Sequence, residues 1–204
     1  MMKLFRYPVV KLFFHMTAVL PLVWLIYAVS YGVLGADPAK DIQHFTGITA
    51  LRLVIIIAVI PVIAFYFKLN SLYQVRKLLG LWCFFWATLH LASYFFLEIG
   101  AENTALFFSE ILSRFYLNLG VAGWLILCLM AVTSSDRIRN LSGRWWKRIH
   151  NLLYPLLFIV ITHYILAAKT DTPEPAIYLV LVILAYCHRR QQRSKEQVLP
   201  DKIG

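Results

Sequence analysis

Six apolar runs, each near the length of a membrane crossing, constrain this chain more than any other feature. They cover about residues 9–31, 45–67, 78–97, 116–134, 149–168 and 175–187. An α-helix needs roughly 20 residues to cross the hydrocarbon of a bilayer. Backbone amides find no water there, so spanning segments without strand alternation are expected to be helical. Composition agrees: 60% of residues are hydrophobic and 15% charged, against about 25% charged in a typical soluble domain. The expected fold is an all-α integral membrane protein, a six-transmembrane-helix bundle forming one domain over residues 1–204. No polar stretch is long enough for the βαβ units of a built-in nucleotide- or flavin-binding domain.

The net charge of +10 is distributed as membrane topology rather than as a nucleic-acid face. With the N-terminus in the cytoplasm, sixteen of the 20 Lys and Arg residues fall inside. They include Lys3, Arg6 and Lys11, the Lys68/Arg76/Lys77 group, Arg137 to Arg148, and Arg189 to Lys202. Such a bias sets orientation, so both termini of this multi-pass chain are expected in the cytoplasm. The first run follows a basic stretch as a signal peptide would, but its length reads as an uncleaved span. Cys83, Cys128 and Cys187 are scattered, without a C-x-x-C pair, which excludes covalent c-type haem and a zinc ribbon. No internal repeat is evident.

Ionisable side chains at membrane depth are costly and mark function by default. His90 lies about twelve residues into the third run and His163 about fourteen into the fifth. Helices three and five run in the same direction, so the two imidazoles reach similar heights, as bis-histidine haem b ligation requires. The alternative is two histidines bonded to backbone or hydroxyl groups. His150 lies 13 residues before His163, roughly 20 Å lower. On a straight helix it points about 140° away, although Pro155 between them can distort the helix. At that height the third run offers only Arg76 or Lys77, neither a normal haem ligand, while His15 in the inner half of the first run could serve. Equally, His150 can belong to a basic and aromatic interfacial belt with Trp145 and Trp146. His44 sits at the outer mouth of the second run. Arg52 requires a haem propionate, an outer-loop acid or a helix-packing ion pair, and His188 reads as solvated beside Arg189 and Arg190.

Four segments carry a family resemblance. The first joins Gly35-Ala36-Asp37-Pro38 to Asp41-Ile42-Gln43-His44-Phe45-Thr46-Gly47. Arg76-Lys77-Leu78-Leu79-Gly80-Leu81-Trp82 then leads to Leu89-His90. Trp146-Lys147-Arg148-Ile149-His150-Asn151-Leu152-Leu153-Tyr154 and His163-Tyr164 complete the set. In this order the chain resembles the ferric-reductase-like transmembrane superfamily. Within it, the chain most closely resembles the MsrQ family, the haem-binding membrane subunits of bacterial periplasmic protein-methionine-sulfoxide reductase systems. The resemblance implies haem b held by His90 and His163, with His150 as the further histidine of helix five. The inner helix-three ligand of related oxidases falls at Arg76, so one haem is implied directly and a second needs a ligand opposite His150. The resemblance also implies electrons from the quinone pool, an FMN, and a periplasmic molybdopterin-containing reductase subunit as partner.

The expected function is therefore an electron-transfer subunit, not an enzyme by itself, with methionine sulfoxide repaired on the partner. A quinol- or flavoprotein-linked cytochrome b serving another acceptor, such as ferric iron, would share the same residues. A small proton or anion transporter lined by His90, His163 and Arg52 is the reading from a different class, although no inverted repeat supports it.

Overall fold

The computed structural model describes residues 7–168 and 173–198. The expectations placed on Lys3, Arg6, Lys202 and the two termini lie outside these residues. Within them the fold is helical, with no strand. Helix α1 (Tyr7–Ser30) is followed by α2 (Pro38–Tyr66) and α3 (Ser71–Ser93), which continues through a π-helical turn, Tyr94–Ile99. Then come α4 (Thr104–Ser113), α5 (Phe115–Val132), α6 (Asp136–Ser142), α7 (Arg144–His150), α8 (Leu153–Ala168) and α9 (Glu174–Val198). Five stretches are long and apolar enough to cross a membrane: Pro8–Ser30, Pro38–Tyr66, Ser71–Ile99, Phe115–Val132 and Arg144–Ala168. This is a multi-pass membrane protein.

The sixth expected span, 175–187, is the first half of α9, which is not among the five. Its thirteen apolar residues rise only about 20 Å, and the helix then runs on into His188-Arg189-Arg190. The fifth span is not one helix. A turn at Asn151 and Leu152 separates α7 from α8. Pro155 explains the break: its ring would strike the carbonyl four residues back, and it offers no amide to bond that carbonyl. The third span starts seven residues before its apolar run and ends in the π turn, closed by Gly100 at φ 88°. Apolar α4 lies in a loop for which no helix was expected.

Helix α2 is the most enclosed of the spans and packs along α3 and α9, while α5 packs on α8 and α1 on α3. Trp86, Cys83, Leu79, Leu156, Leu157 and Ile161 fill the centre. Many outward residues, among them Leu12, Phe13, Leu20, Val180 and Leu184, are exposed and apolar, the surface a helix presents to lipid. Interfacial anchoring accounts for exposed Trp145 but not for Trp86, which is fully buried and donates its indole N–H to the Ala18 carbonyl at 3.3 Å.

The start of α2 shows why the Gly35 to Asp41 segment has its sequence. Asp37 caps the helix by accepting from the Lys40 amide at 3.2 Å, and Pro38 occupies the first turn, where no amide is needed. Asp41 reaches back to the Gly35 amide at 2.7 Å. A Cβ on Gly35 would stand 2.9 Å from that carboxylate oxygen. Asp37→Ala should destabilise the protein by about 0.5–2 kcal/mol, read as a lower unfolding midpoint in detergent. Asp37→Asn, which keeps a capping oxygen, should retain most of the stability; equal losses in the two variants would remove capping as the cause.

Candidate functional site

His90 on α3 and His163 on α8 face one another. Their ring centroids are 6.2 Å apart and their planes cross at 71°. Each ring is tied to a neighbouring helix backbone. His90 Nδ1 lies 2.8 Å from the Gln43 carbonyl of α2, and His163 Nδ1 lies 2.7 Å from the Tyr116 carbonyl of α5. A carbonyl only accepts, so both Nδ1 atoms carry the proton and donate it. Each Nε2 is left with its lone pair, the neutral form that binds metals. Bonding the second ring nitrogen to a carbonyl is the usual way a protein orients a ligating histidine.

The surroundings fit a haem iron between the rings. Metal–imidazole bonds of about 2.0 Å on both sides put ring centroids about 6 Å apart, the separation found. Glycines make the ring positions accessible. A Cβ on Gly47 would lie 2.9 Å from His90 Cε1 and Nδ1, and one on Gly120 would lie 2.8 Å from His163 Cε1. Tyr116 also stacks on His163, with centroids 6.4 Å apart. Thr88, two residues before His90, accepts the Trp124 indole N–H at 3.0 Å. Among the described residues, no cluster of three or more His, Cys, Asp or Glu could hold a bare metal ion.

A second site lies at the other end of the bundle, where the break before α8 turns His150 toward α3. It is a cleft of about 450 Å³ lined by Arg76, Tyr73, Trp146, Lys147, His150, Tyr154, Phe65, His188 and Arg189, among others. Trp146 stacks on His150 with centroids 4.3 Å apart, and the Arg189 guanidinium lies 4.8 Å from the centre of the Tyr154 ring while donating to the Asn151 side chain. Arg76 Nε and Trp146 Nε1 are buried and have no hydrogen-bond partner among the described residues. Buried donors of this kind are rare in a finished core and point to an absent acceptor.

The structure therefore brings His90 and His163 together and places His150 with Arg76 in a separate cleft. His15 is not in that cleft; it accepts the Trp82 indole N–H at 3.1 Å. His188, read as solvated from the sequence, packs its ring against Phe65 and Tyr66 at the cleft wall, at 5.1 and 5.7 Å between centroids. His44 is exposed on the first turns of α2. Arg52 takes the ion-pair alternative: it meets Glu174 at 3.3 Å and donates to the Tyr178 hydroxyl at 3.1 Å, and Tyr164, next to His163, donates to the same carboxylate at 3.2 Å.

Sequence reasoning missed Gln43, Gly47, Tyr116 and Gly120. Their common spacing becomes visible only once the hydrogen bonds identify the acceptors. In each half a glycine follows the accepting residue by four, and the histidine follows the acceptor by 47 residues. Few other positions match between the halves, too few to register as similarity.

The ferric reductase like transmembrane component family matches residues 45–161. The protein-methionine-sulfoxide reductase heme-binding subunit MsrQ of Pectobacterium atrosepticum is 45% identical over 185 residues, covering 89% of this chain and 93% of that relative. The protein of the same name from Salmonella enteritidis PT4 is 44% identical over 182 residues, covering 88% and 92%.

Proposed function

Since the chain belongs to the MsrQ family of ferric-reductase-like membrane proteins, we propose that it is the haem b-carrying electron-transfer subunit of a periplasmic methionine-sulfoxide reductase. The observation that carries this reading is the His90/His163 pair, 6.2 Å between centroids with both Nδ1 atoms bonded to backbone. A haem held there supplies one-electron redox chemistry. The chain's own part is to present two neutral imidazoles and bury them, which sets the potential. The cationic bias of the loops supports an orientation in which this pair lies toward the periplasm. There a molybdopterin-containing reductase subunit docks on the outer loops and carries the catalytic site. A proton or anion path would have no need of two backbone-locked imidazoles at ligation distance.

Electrons enter at the cytoplasmic cleft. Its chemistry suits FMN: Trp146 and Tyr154 offer ring faces, and Arg76, Lys147 and Arg189 offer cations for a phosphate. The unpartnered Arg76 Nε and Trp146 Nε1 are available to donate to the ligand. Quinol of the membrane pool is the source of the electrons in this reading. A second haem in the same cleft would have His150 and His188 as its candidate ligands.

The decisive measurement is a reduced-minus-oxidised spectrum of the purified protein with pyridine haemochrome quantitation. About one b-type haem per chain is expected, lost in His90→Ala and in His163→Ala. A His163→Ala protein with unchanged low-spin spectrum and stoichiometry would overturn the ligand assignment. Two haems per chain would transfer the cleft from FMN to haem.

FMN binding has its own check. Arg76→Ala removes a charge-assisted hydrogen bond, an interaction of about 1.5–3 kcal/mol, so FMN affinity should fall on the order of tenfold or more. The haem spectrum should not change. Unaltered FMN affinity would place the flavin elsewhere.

A further inference from the structure

The two halves of the bundle hold their histidines by one device used twice, and the device governs more than position. In a helix the carbonyl of residue i points along the axis toward residue i+4, whose amide takes one of its two lone pairs. A side chain at i+4 limits how closely a ring can lie over that turn. At both seats that residue is glycine: Gly47 follows Gln43 by four, and Gly120 follows Tyr116 by four. With no Cβ in the way, the imidazole lies over the glycine and its Nδ1–H reaches the carbonyl at 2.8 Å for His90 and 2.7 Å for His163. The approach is close enough that an alanine Cβ would stand 2.9 Å from His90 and 2.8 Å from His163. Real Cβ atoms do not come that near ring atoms without a shift of the ring.

A hydrogen bond at one ring atom and a flat backbone surface beside the ring leave little freedom about the side-chain torsions. The result is a pair of planes crossed at 71°. We propose that Gly47 with the Gln43 carbonyl, and Gly120 with the Tyr116 carbonyl, are positioning groups that hold the two axial imidazoles crossed, and so set the electronic state and potential of the haem. The inference rests on the haem reading above. Its physical basis is the filled π orbital of each imidazole, which stands perpendicular to the ring. Parallel rings act on the same iron d orbital and split it from its neighbour. Crossed rings act on different orbitals and leave the two nearly equal in energy. Ferric iron gains less stabilisation in the crossed case, so crossing raises the potential. It also gives the ferric protein a strongly anisotropic resonance spectrum with one dominant large-g feature, where parallel rings give three resolved rhombic values.

Electron paramagnetic resonance of the oxidised wild-type protein tests the crossing directly. The expected result is the large-g type of signal, assigned to this haem by its disappearance in His163→Gly. A rhombic triplet from a haem bound by both histidines would overturn the proposal and leave the function intact; wild-type protein without haem would overturn both. Gly47→Ala and Gly120→Ala test the seats. Each should change the signal and shift the midpoint potential while haem stays bound, and unchanged spectra and potentials in both would overturn the role of the glycines. Where alanine expels the haem, the His163→Gly protein supplies the decision through added ligands. Imidazole can donate to the Tyr116 carbonyl and should restore the large-g signal. 1-Methylimidazole binds iron but has no N–H to donate, so it should bind about tenfold more weakly or restore a different signal. Equal affinity and identical spectra for the two ligands would overturn the proposal.

Discussion

An imidazole N–H placed at membrane depth must find an acceptor, and this requirement organises the centre of the protein. No water is available there, and the backbone carbonyls are already committed to helical hydrogen bonds. A helix carbonyl has a second lone pair, and a following turn without a side chain leaves an opening through which a ring can approach it closely. Gly47 and Gly120 provide that opening beneath His90 and His163. Close approach of α3 to α2 and of α8 to α5 follows, and these pairs form two of the most extensive helix contacts in the bundle. The third, α2 with α9, is tied by Arg52, Glu174 and Tyr178.

The two ends of the bundle differ in how their polar groups are satisfied. Around His90 and His163 the Nδ1 donors, the Thr88 and Ser93 hydroxyls and the Trp124 indole all have partners. The orientations of these side chains are thereby fixed by hydrogen bonds within the bundle. At the Arg76 and His150 end two buried donors have no partner among the described residues, in a cleft with several cations and ring faces. Leaving them so costs stability. A cleft that receives a ligand from outside accounts for that cost, whereas a packing defect would not gather charge and aromatic surface together.

Pro155 links the two ends. A continuous helix through residues 144–168 would carry His150 and His163 on different faces, since 13 residues leave them about 140° apart. The turn at Asn151 and Leu152 interrupts that phase. Both histidines then look toward α3: His163 at His90, and His150 at the cleft that Arg76 lines. One imino acid thereby allows a single strand of chain to serve two sites.

Five membrane crossings, and His90 and His163 as ionisable groups at matched height, were legible because hydrophobicity and charge act residue by residue. The Gly35 to Asp41 segment was legible as a motif for the same reason, its capping bonds being local. Other features depend on contacts between segments distant in sequence and left no local trace. Arg52 could be given its Glu174 and Tyr178 partners, and His15 its Trp82, only once α9 and α3 were in place. His188 looked solvated from its charged neighbours, but helix phase turns its ring against Phe65. The duplicated seat is the clearest instance. A glycine in an apolar run has no distinctive signature, and its meaning comes from the imidazole that lies on it 43 residues later in the chain. Sequence by itself determined which groups must be buried and that they would need partners. Only the tertiary structure decided which partners, because hydrogen bonds at membrane depth are made between helices and are fixed by how those helices pack.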